Sequence, residues 1–544
     1  MNILIQGSMR SFQVHYSLCN VFHDRYPSAK FAYFSRDIST MGLFENSKKP
    51  IFKTYNPYDY DRRFDNESNV NLIREFEKYS GMSIWRMLAA DRLIGWSDYV
   101  GNYGTFIDKN HRMDRKYLMN EIANDIRRFS DMFNDFKPDI FIPAKAMGGV
   151  SVFILEAICK KSAVKYLLPE YSRVSNLHRI SENVLALSPE IDNEFQVLMK
   201  EGNIADYKKG KKLFDKLTDD FNKLDNFDTK FTKTYGLKEI NNIFDSFKLF
   251  IKITFEIITD LINFIKQCIR SANNPSLKFS HIFYKLKLAL VLRSQKYSNH
   301  RAVLNKSFGQ LPEDQQKYLY FPLYNIPEYS SNFQSTMWLD IVSVVETLSK
   351  SIPSDWIIVL KEHPTGVNYN FRQKNFYARI SKLPNVIFAP LLADSNALIS
   401  NAELVFVTVG TSGWQAILKG IPVLSPIENF WDCMQLSRKS SDIESLYKDI
   451  KKTVSDNIKI SRAEREKRLI IFLQALLNNS FSISDPEVFS YYYDGTKEQY
   501  DRQGLELAEG LIKFMKKVNI DKSIGNKNYF EYDSNEQESS LDNS

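Results

Sequence analysis

The sequence has few cysteines and no long uncharged apolar run. Its four cysteines, Cys19, Cys159, Cys268 and Cys433, lie far apart and form no Cys-X-X-Cys pair. This spacing argues against a disulfide framework and against a cysteine-based zinc site, so we expect a reducing, cytoplasmic compartment. No stretch of ~20 uncharged apolar residues occurs, so no membrane-spanning helix is predicted. The first residues also lack the basic and apolar regions of a signal peptide.

Acidic residues are absent from positions 261 to 312. This stretch carries the cations Lys266, Arg270, Lys278, Lys285, Lys287, Arg293, Lys296, Arg301 and Lys306. The segment 247–265 overlaps the start of this stretch. Its polar residues recur every four positions, as Lys248, Lys252, Glu256 and Asp260, among mostly apolar neighbours. A wide apolar face beside a cation-only segment favours a helix that docks peripherally on an anionic membrane surface. The alternative is a helix packed between two domains, with a solvated basic neighbour.

The chain is too long for one domain, since single cores stop growing near ~250–300 residues and the chain has 544. A net charge of +7 is too small to argue for a nucleic-acid partner, although it suits an anionic substrate.

Alternating strands and helices occur in two separate regions, which predicts two α/β domains with parallel sheets. The predicted strands are 2–6, 30–34, 139–143, 164–168, 318–323, 356–361, 385–389, 404–409 and 421–425. The predicted division is an N-terminal Rossmann-like domain at 1–195, a helical basic insertion at 196–312, a C-terminal Rossmann-like domain at 313–480, a helix crossing back at 481–520 and a disordered tail at 521–544.

Two loops of the C-terminal domain are candidate anion sites. In the first, Gly410-Thr411-Ser412-Gly413 joins an apolar strand to a helix, whose N-terminal amides and partial positive charge attract phosphate. In the second, Lys361-Glu362-His363-Pro364 lies where the predicted strand 356–361 ends, and ligands bind at the carboxyl ends of strands in open α/β sheets. We expect the two loops to follow neighbouring strands of one sheet. Each loop also has a structural interpretation: Thr-Ser is an ordinary helix cap, and a single histidine at a turn is often structural.

A third loop, Tyr324-Asn325-Ile326-Pro327-Glu328, follows the first strand of the same domain. Glu328 can accept hydrogen bonds from ribose or sugar hydroxyls. The alternative is a proline-bearing turn without a ligand.

Taken in order, these strings resemble the capsular polysaccharide biosynthesis family, which includes bacterial Kdo transferases. The similarity covers residues 318–426 and includes Gly420-Ile421-Pro422-Val423-Leu424 after the second loop. The resemblance implies a GT-B fold, with two Rossmann-like domains facing a cleft, and a CMP-activated sugar donor held by the C-terminal domain. It implies metal-independent catalysis without a cofactor. One position departs from the family, which commonly has Glu where this chain has Gln415.

The resemblance implies that His363 and Pro364 lie near the donor phosphate and that Thr411 and Ser412 bind it. Lys361 and His363 can stabilise the charge of the departing nucleotide. Acceptor activation needs a base, and Asp91 and Glu170 of the N-terminal domain are the candidates.

Three further polar residues of the N-terminal domain, Arg173, His178 and Arg179, can bind an anionic acceptor. Each of these residues, like Asp91 and Glu170, also has a structural interpretation.

The sequence therefore predicts a cytoplasmic glycosyltransferase of surface polysaccharide assembly that transfers Kdo or a sialic-type acid from a CMP donor to a glycan or glycolipid. Two alternatives stay open. One is another enzyme on the same fold, such as a nucleotide-sugar 2-epimerase or a CDP-polyol phosphotransferase. The other is a non-catalytic carbohydrate-binding assembly protein.

Overall fold

The structure is a computed structural model of the chain. It describes residues 1–7, 12–35, 41–48, 50, 52–56, 66–91, 115–143, 149–202, 204–223, 243–272, 309–326, 328–363, 372, 376–408, 410–485, 495–520 and 529–530, together with isolated positions between 283 and 302.

The chain divides into two compact units. Unit 1 comprises residues 1–94, 111–202 and 473–544, and unit 2 comprises residues 95–110 and 203–472. The segment predicted as a separate insertion thus belongs to unit 2 from residue 203 onward, and residues 473–480 belong to unit 1.

Unit 1 is built on a parallel sheet of order β3-β2-β1-β4-β5. Its strands are β1 (Asn2–Gly7), β2 (Lys30–Ser35), β3 (Phe52–Tyr55), β4 (Ile140–Ile142) and β5 (Lys165–Tyr166). The helices are α1 (Phe12–Arg25), α2 (Met41–Glu45), α3 (Asn66–Ser80), α4 (Ile84–Ala90), α5 (Arg115–Phe136), α6 (Ser151–Lys161) and α7 (Pro189–Glu201). The central strands β1 and β4 are apolar and almost fully buried, as expected for strands covered by helices on both faces.

The strand predicted at 164–168 is in fact two strands in two sheets. After β5, the chain enters β6 (Leu168–Tyr171), which pairs antiparallel with β7 (Leu177–Ser181). β7 pairs in turn with β14 (Ser480–Ser482), so the small sheet has the order β14-β7-β6. The prediction of one strand was wrong because partners far away in the sequence decide where pairing changes.

The last helix of the chain, α16 (Lys497–Lys517), packs on α1 within unit 1. Gly504 makes this close packing possible, because a Cβ atom there would lie 2.5 Å from Ser17 Cβ and 2.8 Å from the Val14 carbonyl oxygen. Beyond it, most of the predicted disordered tail lies outside the described residues. Tyr529 and Phe530 are an exception: Phe530 is buried, and the Tyr529 hydroxyl donates to the Pro138 carbonyl at 3.2 Å. For these two residues the prediction of disorder was wrong.

Unit 2 contains a second parallel sheet, of order β10-β9-β8-β11-β12-β13. Its strands are β8 (Lys317–Pro322), β9 (Trp356–Lys361), β10 (Val386–Phe388), β11 (Leu404–Phe406), β12 (Val423–Ser425) and β13 (Ser437–Lys439). The helices are α8 (Lys208–Lys223), α9 (Ile243–Ala272), α10 (Ile341–Ser349), α11 (Phe376–Ile380), α12 (Ser395–Ser400), α13 (Thr411–Lys419), α14 (Leu446–Lys459) and α15 (Arg462–Asn478), the last of which extends into unit 1. Counting strands from the first, this is the 3-2-1-4-5-6 order of the Rossmann fold, and the unit 1 sheet has the order 3-2-1-4-5. The predicted α/β class with two Rossmann-like units is confirmed.

α10 begins later than predicted. The sequence predicts a helix from residue 336, whereas residues Thr336–Trp338 form a 3₁₀ turn and the α-helix begins at Ile341. The Asp340 side chain accepts a hydrogen bond from the Val342 amide at 3.2 Å, so this residue caps the helix and sets its start. None of the helices that the structure describes is both long enough and apolar enough to cross a membrane.

A buried histidine makes unit 1 sensitive to acid. His15 of α1 is 2% exposed, and burial lowers the pKa of its ring to about 4 from an ordinary 6.5. As the pH falls, the unfolded chain therefore binds a proton before the folded chain does. The stability held by neutral His15 is complete above pH 6.5 and is lost toward pH 4, by roughly 3 kcal/mol.

Replacing His15 by leucine should remove this loss. Urea unfolding of His15→Leu between pH 6.5 and pH 4 should show a flatter dependence of stability on pH than the native chain. Asn20→Leu, on the same helix, is the matched control and should keep the native dependence, because asparagine does not titrate. An unchanged slope in His15→Leu would contradict the assignment.

Candidate functional site

The carboxyl edge of the unit 2 sheet brings three of the predicted loops together. β8 lies between β9 and β11 in the sheet, so the two candidate anion loops do not follow neighbouring strands as expected. They are two strand spacings apart, roughly 10 Å, and the loop after β8 lies between them. The order reverses between β8 and β11, because the chain moves from β8 to β9 on one side and later returns to β11 on the other. Open α/β sheets bind ligands in the crevice at such a switch point.

The loop after β8 contacts the loop after β9 through Asn325. Its side-chain amide donates to Glu328 Oε1 at 3.0 Å and lies 3.3 Å from His363 Nδ1. Because Nδ1 accepts from Asn325 in this arrangement, a neutral His363 ring carries its proton on Nε2. Asn325 is buried, whereas Glu328 and His363 are exposed. The cluster thus presents a carboxylate and an imidazole N–H at the switch point.

The pKa of His363 is lowered from its ordinary value of 6.5. Although part of the His363 side chain is exposed, the protein around the ring removes enough water to disfavour the imidazolium form, and this effect exceeds the attraction of Glu328 and Glu362 for a proton. Lys361 and Arg372 add to the lowering. At neutral pH the ring is therefore a neutral hydrogen-bond donor.

Glu362 faces the interior of unit 2. Its carboxylate is 3% exposed and accepts two hydrogen bonds from Arg372, at 2.6 and 2.7 Å. The Tyr377 hydroxyl donates to Glu362 Oε2 at 2.8 Å, and the His363 amide donates to Oε1 at 2.8 Å. Burial alone would raise the pKa of Glu362, but the Arg372 charge and these hydrogen bonds outweigh it and lower the pKa. Glu362 therefore holds the His363 backbone in place, and its carboxylate is not available to a donor.

Arg372 closes the network on the other side. Its guanidinium is 1% exposed, donates to the Tyr324 carbonyl at 3.0 Å and lies 5.0 Å from the centre of the Phe376 ring. Sequence reasoning missed Arg372 and Tyr377 and named Asn325 only as part of the loop after β8, because nothing in the spacing of these residues indicates that they surround Glu362 and His363. Lys361 is buried at the end of β9, and Pro364 lies outside the described residues.

The loop after β11 has the backbone geometry of an anion cradle. α13 has no side-chain hydrogen bond capping its N-terminus, and the preceding Gly410 has φ +118°, a conformation that favours glycine. Thr411 is exposed and Ser412 is half-buried, so both hydroxyls lie at the first turn. Gly413 allows the helix to approach its strand, since a Cβ atom there would lie 2.9 Å from Val407 Cγ2.

Two buried polar groups near this turn lack partners in the described part of the chain. Thr408, two residues before Gly410, is fully buried, and its hydroxyl oxygen has no hydrogen-bond partner there. The indole N–H of Trp431, whose ring lies against Gly413, also has none. Gln415 is half-buried one turn into the helix. A buried hydroxyl left unpaired costs stability, and unpaired groups of this kind often have a functional reason.

Asp91 of unit 1 is fully buried at the end of α4. Its carboxylate accepts a hydrogen bond from the Val150 amide, immediately before α6. In this position Asp91 anchors the start of α6, and its carboxylate does not reach the surface as a catalytic base would require.

Glu170 and Arg179 lie opposite each other on β6 and β7, and both are buried. Arg179 donates to Ser188 Oγ at 2.7 Å, and burial lowers its pKa to about 10 despite the nearby charge of Glu170. His178 is fully buried, with its ring 5.3 Å from that of Tyr171. Of the predicted acceptor-binding residues, Arg173 is half-buried, in the turn between these strands with φ +59°. The small sheet therefore encloses His178 and Arg179 instead of presenting them to an acceptor.

A cleft of about 620 Å³ lies elsewhere in unit 2, between α8 and α15. Its lining includes Lys208, Lys211, Lys212 and Lys467 together with Asp215 and Glu466. Lys211 is paired with both carboxylates, at 2.8 and 3.0 Å, so part of its positive charge is neutralised. This cleft contains none of the predicted site residues. No group of three or more histidine, cysteine or carboxylate side chains within the described ranges could hold a metal ion.

No protein-family profile matches the chain, and no curated protein matches it. Solved structures do align with it. A UDP-GlcNAc 2-epimerase from Neisseria meningitidis, bound to UDP-GlcNAc, is 10% identical, with a TM-score of 0.20, covering 88% of this chain and 100% of its own. HepE from Anabaena, in complex with UDP and glucose, is 10% identical, with a TM-score of 0.22 and coverage of 96% and 100%. A glycosyltransferase from Rickettsia africae is 10% identical, with a TM-score of 0.24 and coverage of 94% and 98%. Likenesses this low do not decide the function of this chain, whose fold is established by its own strand order.

Removing the Glu362 carboxylate should destabilise unit 2 strongly. Glu362→Gln leaves Arg372 as a buried charge without its counter-charge, which costs about 3–5 kcal/mol. Urea unfolding measures this loss. The matched control is Glu346→Gln, which breaks an exposed pair with Arg379 and should cost less than about 1 kcal/mol.

The double variant Glu362→Gln, Arg372→Leu should recover part of the stability, since no unpaired buried charge remains. Equal, small losses in Glu362→Gln and Glu346→Gln would contradict the interpretation of this pair as the anchor of the His363 loop.

Proposed function

We propose that unit 2 binds an activated-sugar nucleotide at the switch point between β8 and β11, and that the protein is a glycosyltransferase. One observation carries the proposal: two loops at the same sheet edge both suit a phosphorylated ligand. One offers the uncapped N-terminus of α13 behind Gly410, and the other offers the neutral imidazole of His363 beside Glu328.

The donor phosphate lies, in this proposal, against the first turn of α13. Backbone amides there and the hydroxyls of Thr411 and Ser412 donate to its oxygens, as helix N-termini do for anions generally. His363 donates from Nε2 to the same phosphate or to the bond that breaks. Glu328 accepts from ribose or sugar hydroxyls, and Gln415 does so without adding charge. Glu362 serves as a positioning residue for His363.

The reaction transfers the sugar from the nucleotide to an acceptor hydroxyl. The bond between the anomeric carbon and the phosphate oxygen breaks, a bond from that carbon to the acceptor oxygen forms, and the acceptor proton leaves to a base. Negative charge develops on the departing nucleotide, and preorganised donors stabilise it most effectively in a site that excludes water. We propose that Asp91 and Glu170 support unit 1 structurally, since both carboxylates are buried.

The finer proposal is a CMP-activated Kdo or sialic-type acid as donor and a glycan or glycolipid of surface polysaccharide as acceptor, at the cytoplasmic face of a membrane. The ordered resemblance of residues 318–426 to the capsular polysaccharide family supports it. Arg173, half-buried in a turn of unit 1, is proposed to bind an anionic acceptor.

Thermal-shift titration with CMP, CDP, UDP and GDP tests the donor. A nucleotide that binds the folded state at about 100 times its Kd stabilises it by ~2.7 kcal/mol, so CMP should give the largest shift. His363→Ala should lower the rate of nucleotide release by about 100-fold, as expected for one lost donor to a developing charge. His23→Ala, in unit 1, is the control and should keep both the nucleotide thermal shift and the rate of nucleotide release.

A preference for UDP, together with donor turnover that needs no acceptor, would favour a 2-epimerase. Binding of CMP without any nucleotide release from an activated sugar would favour a non-catalytic binding protein. Full activity in His363→Ala would contradict the proposed site.

The Thr408 hydroxyl, which has no hydrogen-bond partner among the described residues, gives a second test. Thr408→Val keeps the shape of the side chain and removes the buried hydroxyl, so the free protein should gain about 1 kcal/mol of stability. Nucleotide binding should weaken at the same time, because we propose that the Thr408 hydroxyl serves the nucleotide-binding loop at Gly410–Gly413.

Thr453→Val is the matched control for this test. The Thr453 hydroxyl donates to the Asp449 carbonyl at 2.6 Å, so its loss should destabilise the protein and leave nucleotide binding unchanged. A Thr408→Val variant that is less stable, or that binds nucleotide normally, would exclude the proposed role.

A further inference from the structure

α9 is a 30-residue helix with one side packed on unit 2, and the Phe250 ring at the edge of its other side lies 6.0 Å from the Tyr297 ring. Ile253 is 4% exposed, and Leu249 packs against the core of the unit 2 sheet. The helix is roughly 45 Å long, so it extends well beyond a single contact.

The other side of α9 is apolar and exposed. Phe247, Phe250, Phe255, Ile258, Ile265 and Ile269 belong to this surface, with exposures from 45% for Ile258 to 66% for Phe255. At about 100° per residue, Phe250 and Phe255 lie at the two edges of this apolar surface, which spans roughly 140° of the helix circumference. A coiled-coil seam uses a narrower stripe, so the width does not suit pairing with a second helix.

Charges border this apolar sector unequally. Lys252 and Lys266 are exposed and, with Lys248, project about 20–60° beyond its edge at Phe255. The acidic residues Glu256 and Asp260 are instead rotated toward the packed side. There both pair with Arg293, at 2.7 and 3.0 Å. Of the four polar residues that recur every four positions, Lys248 and Lys252 are therefore exposed, whereas Glu256 and Asp260 are paired with Arg293.

We propose that this face of α9 docks on the surface of an anionic lipid bilayer. The helix lies parallel to the surface, its Phe and Ile side chains enter the acyl boundary, and its bordering lysines contact lipid phosphates. The Arg293 pairs keep Glu256 and Asp260 from repelling the anionic headgroups. Such a large contiguous apolar surface is unusual on a protein that meets only water. This inference goes beyond the proposed donor site and does not depend on it.

Vesicle binding by the full chain tests the proposal. The native protein should sediment with phosphatidylcholine vesicles that contain phosphatidylglycerol, and added salt should weaken the binding. The variant Phe247→Ser, Ile258→Ser, Ile265→Ser should bind on the order of a hundredfold more weakly, since three apolar side chains no longer enter the bilayer. Lys252→Glu, Lys266→Glu should lose the preference for phosphatidylglycerol.

The matched control replaces three apolar residues of unit 2 that are similarly exposed but lie outside α9. Met337→Ser, Ile443→Ser, Ile458→Ser removes side chains that are 75%, 56% and 77% exposed and should bind vesicles like the native chain. Circular dichroism verifies that each variant is folded.

Native-like vesicle binding by the α9 variant would overturn the proposal. A native chain that does not bind anionic vesicles would also overturn it. So would a native chain that is a dimer in light scattering while the α9 variant is a monomer, since the face would then be a protein interface. Nucleotide thermal shifts in the same variants separate this question from donor binding, because loss of vesicle binding should leave those shifts unchanged.

Discussion

The buried ion pair between Glu362 and Arg372 is the interaction on which the candidate site depends. It takes two charges out of water and is compensated by the Tyr377 hydroxyl, the Tyr324 carbonyl and the His363 amide. Such a pair contributes little net stability, but it fixes geometry, because either charge alone would be costly. The loop after β9 is thereby tied to the loop after β8. His363 reaches the switch point as a consequence of this pair.

In the proposed site of unit 2, backbone amides of α13 and the side chain of His363 would together bind the anion. The strand order reverses between β8 and β11, and this opens a crevice where the first turn of α13 is uncapped. The neutral state of His363 fits this arrangement. A fixed positive charge would bind substrate and product nucleotide alike. A neutral N–H donor aimed at the departing oxygen instead binds more strongly as negative charge develops there, which favours the transition state.

Much of the fold could be predicted from the sequence, because buried parallel strands are apolar runs bounded by turns. β9 has the predicted bounds, and β1, β2 and β8 differ from theirs by a residue or so. The division of segment 164–171 between two sheets could not be predicted, since it depends on β7 and on β14, about 300 residues later. The two candidate loops were predicted from glycine and histidine at strand ends.

The partners of those loops could not be predicted. Arg372 lies ten residues beyond Glu362 in a polar stretch and gives no signal in the sequence. The same limitation explains why Glu170, His178 and Arg179 were predicted as site residues. Their residue types suit an anion site, but on β6 and β7 all three side chains are buried.

The most direct test of the nucleotide site is a crystal structure of the full chain with CMP. The account predicts the phosphate within hydrogen-bond distance of the amides at Gly410–Gly413 and of His363. Nucleotide bound instead in the lysine-lined cleft between α8 and α15, with the switch point empty, would contradict it.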